Sequence, residues 1–258
     1  MMNTERRFRP EQEEDDMMIF GIRPVMEALD AGKEIERIYI QRDLSTPVSR
    51  DLKNVLKDAG ISFIPVPVEK LNRLTRKNHQ GVVCFLSRVT YSKVEDIVPI
   101  LFETGKIPLL LVLDRITDVR NFGAICRSAE CMGVDAVIIP ERGASMVNGD
   151  AIKASAGALN RITICREFNL KGVLTYLNDY GIQLTGCSEK GTQNIYEADF
   201  TVPVCIVMGS EEDGISPEYL KKCDSILKIP MMGKTQSLNV SVAAGMILYE
   251  VTRQRTTR

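Results

Sequence analysis

The chain has 258 residues, 44% apolar and 26% charged, with a formal net charge of -1, the make-up of a globular protein able to bury roughly 70 to 75% of its unfolded surface. No apolar run approaches the ~18 residues of a membrane span, and the charged start MMNTERRFRPEQEEDD lacks the hydrophobic middle of a secretory signal, so a cytoplasmic protein without membrane contact is expected. Seven cysteines without a Cys-x-x-Cys pair, and a single histidine, His79, argue against a metal site, a disulfide framework and histidine-based nucleophilic catalysis.

Residues 1–17 are acidic and hold too little apolar surface to offset the entropy of ordering, which predicts a mobile tail. Short β-branched runs then alternate with runs of helical period. They predict strands at 18–20, 35–40, 62–66 and 81–86, with helices at 24–31, 48–59 and 69–73 between them. Residues 18–88 thus read as a small α/β module, and 89–107 as a connector with one helix at 94–102. A second module, 108–258, has predicted strands at 109–113, 136–139, 162–165, 182–187, 204–208 and 226–229. Several are apolar throughout, as parallel strands covered on both faces are. The last helix, from Val240 to about Arg253, is expected to bury Val242, Ile247, Leu248 and Val251.

The near-zero net charge argues against wholesale electrostatic binding of nucleic acid, but the charge is unevenly spread. Residues 18–92 carry 12 basic and 8 acidic side chains, and residues 93–258 carry 18 and 20. Lys70, Arg73, Arg76, Lys77 and His79 crowd into KLNRLTRKNHQG just before a predicted strand. Such a group suits RNA phosphates and equally suits a solvated face.

Three junctions stand out: LLLVLDRITDVRNFGAICR (109–127), VCIVMGSEEDG (204–214) and IPMMGKTQSLNVSVAAG (229–245). Each is an apolar strand running into a polar loop, and in open parallel sheets ligands sit beyond the carboxyl ends of strands. There is no G-x-G-x-x-G after the first strand and no Walker loop, so neither a nicotinamide nor a nucleoside-triphosphate site is supported. Read singly, Asn121 and Ser237 are equally helix caps, Glu211 is equally part of a solvated acidic turn, and Ile229 and Leu238 are equally core residues.

Taken together, Asn121-Phe-Gly-Ala-Ile-Cys-Arg127, Met208-Gly-Ser-Glu-Glu-Asp-Gly214, and Ile229-Pro230 followed by Ser237-Leu-Asn-Val-Ser241 resemble, in order and spacing, the three motifs of the SpoU/TrmH RNA ribose methyltransferases of the SPOUT superfamily. The first module resembles the substrate-binding domain of the ribosomal-RNA branch. The resemblance implies a trefoil-knotted α/β fold, a homodimer with the knot at its interface, and S-adenosylmethionine as cofactor. By the same resemblance Gly209, Ile229 and Leu238 would contact the cofactor, with Gly209 giving the backbone close approach to adenosine. Arg127 matches the family's essential arginine, and Asn121, Glu211, Ser237 and Asn239 complete the implied catalytic set, with Glu211 or Asn121 bracing Arg127. In the first module the basic cluster offers Arg73, Arg76, Lys77 and His79 as candidate RNA contacts, and Asn78, His79, Gln80 and Gly81 resemble a motif recurrent in the family's first domain.

The implied reaction is methylation of a ribose 2'-hydroxyl, on a guanosine of large-subunit ribosomal RNA, with transfer RNA as the alternative substrate. A non-catalytic RNA-binding assembly factor and a small-molecule α/β enzyme are the rival readings from other classes.

Overall fold

The computed structural model describes residues 17–235 and 237–257; the predicted tail, apart from Met17, lies outside them. Met17 is tied down, its carbonyl accepting the Leu86 N–H at 2.8 Å. The chain divides into two compact units, one running to Thr90 and taking in Val147–Gly149, the other holding Tyr91–Met146 and Asp150 onward.

In the first unit, β1 (Met18–Phe20), β2 (Ile35–Gln41), β3 (Ile64–Val66) and β4 (Val82–Leu86) form one sheet in the order β1-β4-β2-β3. Its period-2 alternation sorts the side chains to two faces. Ile38, Ile40, Val82 and Cys84 pack with Val25 of α1 (Ile22–Asp30) and with Leu52 and Leu56 of α2 (Pro47–Asp58). Tyr39 and Val83 point the other way, onto Leu71 of α3 (Val68–Leu74). Thr46 starts α2 by accepting the Ser49 N–H at 3.2 Å, with Pro47 at the first helical position where its missing N–H is harmless.

The second unit is built on β5 (Tyr91–Ser92), β6 (Leu109–Leu113), β7 (Ala136–Pro140), β8 (Thr163–Glu167), β9 (Gln183–Cys187), β10 (Gln193–Asn194), β11 (Val204–Met208) and β12 (Ser225–Lys228). All seven neighbouring pairs are parallel, in the order β10-β12-β9-β11-β6-β7-β8-β5. The helices are α4 (Val94–Glu103), α5 (Val119–Cys131), α6 (Gly149–Ala154), α7 (Leu170–Asp179), α8 (Pro217–Leu220) and α9 (Val240–Thr256). Every residue of β6 and β11 is buried, which explains why both runs lack alternation.

Residues 89–107, read as a connector, largely belong to this unit. β5 pairs with β8, and Val94, Val98 and Leu101 of α4 pack with Leu110, Val112 and Leu174. Glu167 fixes the start of α4 by accepting the Val94 N–H at 2.9 Å, and its own burial pushes its carboxyl above the usual range.

The last helix departs from expectation at Val242. Ile247, Leu248 and Val251 are buried, but Val242 is 50% exposed. It lies with Met246 and Tyr249 on an outward face, because α9 is apolar on two sides and only one packs inward. Arg253 and Arg255, in the last turn of α9, are both engaged. The Arg255 guanidinium donates to the carbonyls of Ile107, Pro108, Phe200 and Val202 at 2.7 to 3.1 Å, and Arg253 grips Glu250 at 2.7 Å. Arg258 lies outside the described residues.

Candidate active site

The carboxyl ends of β6 and β11 lie level, Leu113 opposite Met208, so the chain leaves the sheet at adjacent points as Asp114 and Gly209. Asp114 extends the pairing, its N–H donating to the Met208 carbonyl at 2.8 Å. From these points two loops rise toward the amino ends of α5 and α9.

Asp118 caps α5, its carboxylate accepting the Asn121 N–H at 2.8 Å, so the cap is Asp118 and Asn121 sits inside the first turn. Asn239, not Ser237, caps α9: its Oδ1 accepts from Ser241 N at 3.0 Å, Ser241 Oγ at 2.5 Å and Val242 N at 3.4 Å. With Oδ1 so committed, the amide's Nδ2 is free to face the other two loops.

It donates to Asn121 Oδ1 at 3.0 Å and to Glu211 Oε1 at 2.7 Å, while Asn121 Nδ2 also donates to Glu211 Oε1 at 2.8 Å. The Val240 N–H reaches the same oxygen at 3.4 Å. One residue from each of the three junctions therefore meets at a single carboxylate oxygen. Glu211 is held by two amides and a helix amino end, all donating to one carboxylate oxygen.

This corrects the expected pairing, since neither Glu211 nor Asn121 braces Arg127. Arg127 lies six residues beyond Asn121 on α5, about 9 Å along the axis and ~120° around it by helix geometry. Its side chain is exposed and, among the described residues, has no hydrogen-bond or ion-pair partner. Ser237 is exposed two residues before the α9 cap, Leu238 between them is half-buried, and Ile229 is half-buried just past β12.

Gly209 is required by the packing of the chain itself. A Cβ there would fall on the backbone carbon of Gly214 and the nitrogen of Ile215, because the chain closes on itself through Ser210 N to Gly214 O at 3.2 Å and Gly214 N to Ser210 O at 3.0 Å.

Sequence reasoning missed the residues that anchor this turn. Asp114, 2% exposed, accepts from Ser216 N at 2.7 Å and Ser216 Oγ at 2.6 Å. Arg115 adopts φ 60°, which for a side chain other than glycine costs about 1–3 kcal/mol. Its guanidinium reaches Asp114 at 3.1 Å, Asp213 at 3.1 Å and the Gly214 carbonyl at 3.1 Å, and the two carboxylates, Asp114 above all, raise its already high pKa. An Asp-Arg pair directly after a buried strand was the available signal.

In the first unit Arg73, Arg76 and Lys77 are exposed, and the Lys77 ammonium lies 5.6 Å from the centre of the Phe20 ring. His79 differs from them: it is buried, its Nδ1 accepting the Gly81 N–H at 3.0 Å and its Nε2 facing Asn72 Oδ1 at 2.9 Å. That geometry makes it the Nε2–H tautomer and a brace for the turn at Gln80 and Gly81, both at positive φ.

A cavity of about 380 Å³ opens at the opposite, amino ends of the strands, lined by residues including Ile97, Asp135 and Thr163. Its charged groups are already paired, Lys106 with Asp135 at 3.0 Å and Arg161 with Glu130 at 3.2 Å, and it shares no residue with the three-loop cluster. No group of three or more His, Cys, Asp or Glu suited to a metal occurs among the described residues.

A parallel α/β unit that gathers polar groups from three strand ends at one point has the layout of an enzyme site. Comparison with known proteins gives the class. The SpoU rRNA Methylase family matches residues 108–249, and the RNA 2'-O ribose methyltransferase substrate binding family matches residues 18–92. YacO of Bacillus subtilis, named as a TrmH family tRNA/rRNA methyltransferase, is 32% identical over 237 residues, 92% of this chain and 95% of that one. A Mycobacterium protein named as an uncharacterized tRNA/rRNA methyltransferase is 36% identical over 96% of this chain and 80% of its own length. Among solved structures, the SpoU methyltransferase AviRb from Streptomyces viridochromogenes, in complex with AdoMet, superposes with a TM-score of 0.60 at 27% identity, covering 93% of this chain and 91% of that one. The chain therefore belongs to the SpoU/TrmH family of RNA methyltransferases, with a substrate-binding domain ahead of the methylase domain.

Proposed function

We propose that the protein methylates a ribose 2'-hydroxyl of RNA in the cytoplasm, using S-adenosylmethionine, and that the target is a guanosine of large-subunit ribosomal RNA. The observation that carries the reading is the meeting of Asn121, Glu211 and Asn239 from three separate strand ends. The choice of ribosomal RNA is supported by the substrate-binding domain at residues 18–92 and by the first module's basic surface.

The chain's residues fit the cofactor. The closed Gly209–Gly214 turn would offer backbone groups, and half-buried Ile229 and Leu238 would add apolar contact. When bound, S-adenosylmethionine supplies an electrophilic methyl group on a sulfonium centre. The 2'-hydroxyl is a weak nucleophile, so alignment and charge stabilisation do most of the work. Arg127, a guanidinium and so a poor base, holds a substrate phosphate and steadies the negative charge that develops on the attacking oxygen. Among the described residues no side chain or carbonyl engages it, which leaves its donors for that purpose. The amide and carboxylate cluster keeps the three loops in register. Ser237 lines the approach to the reacting ribose.

The homodimer and the trefoil threading belong to the same reading. The exposed stripe of Val242, Met246 and Tyr249 on α9, at 42 to 59% exposure, supports a second copy docking along that helix.

Mapping ribose methylation across ribosomal and transfer RNA in a strain lacking the gene tests the proposal. Loss of one 2'-O-methylguanosine in large-subunit RNA is the expected result. Loss of a transfer-RNA mark instead would move the substrate, and an unchanged methylation map in both would remove the activity.

A further inference from the structure

The turn from Ser210 to Gly214 contains Glu211, Glu212 and Asp213 in succession, three like charges that oppose its closure. Inside the turn, closure rests on the paired backbone bonds of Ser210 and Gly214 and on Ser210 Oγ accepting the Asp213 N–H at 3.1 Å. Arg115 comes from outside, from the end of β6, held at φ 60°. Its Nη1 donates to Asp213 at 3.1 Å and its Nη2 to the Gly214 carbonyl at 3.1 Å, while Nε stays on Asp114 at 3.1 Å. Asp114 secures the far side of the turn separately, through Ser216 at 2.6 and 2.7 Å.

We infer that Arg115 is a positioning residue for the methyl donor: by tying the acidic turn to the end of β6, it holds Gly209 and Glu211 in the shape the donor meets. The inference rests on the donor reading given above. Because Asp114 still grips Ser216 without Arg115, removing the guanidinium loosens the turn and leaves the sheet intact. The Asp213 arm is the weaker of the two, since its carboxylate is 70% exposed and open to screening by salt.

The test is calorimetric titration of full-length protein with S-adenosylmethionine, alongside steady-state methyl transfer. Arg115→Ala raises the donor Kd about tenfold and its KM in step, with turnover recovered as donor is raised to saturation. Arg115→Lys, whose ammonium reaches one acceptor at a time, falls between, at about threefold, and Asp213→Ala costs about twofold. An unchanged Kd in Arg115→Ala overturns the inference. So does a lowered binding stoichiometry at unchanged Kd, which marks a partly unfolded population and a merely structural role. A wild-type chain that takes up no donor sinks the donor reading and this inference together, whereas variants that bind like wild type sink the inference alone.

Discussion

Arg127 and Glu211 carry opposite charges and were expected to meet, yet each has a separate setting. Glu211 is bound by neutral amides, and Arg127 is left open to solvent two turns along α5. A guanidinium with no partner among the described residues contributes little to folding, so its replacement should tell on chemistry alone. Arg127→Lys is expected to lower methyl transfer at least about 100-fold, because one ammonium cannot reproduce the planar fork, with an unchanged melting temperature; near-normal transfer would refute the role. Gly209→Ala is the converse case. Its new Cβ meets backbone, which cannot rotate away, so a loss of about 3 kcal/mol in urea unfolding is expected. The motif residues were legible because three polar groups of the right type stood at three strand ends. Arg115 was marked only as half of an Asp-Arg pair after a buried strand, because nothing in a sequence reveals a non-glycine residue at positive φ. The correct caps, Asp118 and Asn239, were missed because several cap formers stand within a few residues and only the folded backbone decides which one faces the open N–H groups.

At the scale of the element, α9 is pinned at both ends. Asn239 ties its amino end to the two other loops, and Arg255 ties its last turn to four carbonyls. Those carbonyls lie on segments flanking β6 and β11, and Arg255→Ala leaves them without their charged donor. A loss of about 2–4 kcal/mol is expected, read from the urea midpoint. Glu250 on the same helix accepts from Arg253 at 2.9 and 2.7 Å and from Gln254 at 2.8 Å, and the Arg253 bond chiefly holds its carboxyl below the usual range. A carboxyl lowered by folding stabilises the native state above its unfolded pKa, and that stabilisation fades as pH falls through the folded value. Glu250→Gln should therefore lower the melting temperature at pH 7 and converge on wild type as pH falls from about 4.3, the ordinary glutamate value, through the lower folded one; a constant gap across pH would count against the pairing. The strands of this unit could be read from unbroken apolar runs. The exposure of Val242 could not, because periodicity shows which faces are apolar and is silent on what covers them.

At the scale of the whole molecule, the parallel α/β architecture followed from alternating strand and helix patterns, and the family from three spaced motifs. The two-residue strands β5 and β10 are too short to carry a period and were absent from the reading. The outward stripe on α9 bears on assembly. Tyr249→Glu places a charge in the middle of it, and the expected result is a shift in light-scattering mass from twice 28.8 kDa to a single chain. A wild-type protein that runs as a monomer would remove the docking role assigned to α9.

The bonds from Asn121 to Glu211 and from Asn239 to Asn121 span 90 and 118 residues of chain. Contacts so distant form only after long loops have closed, so they arise late in refolding and are among the first lost when the methylase unit opens. Uptake of donor is thus a sensor of complete tertiary assembly: no isolated fragment carrying one or two of the motifs should retain it.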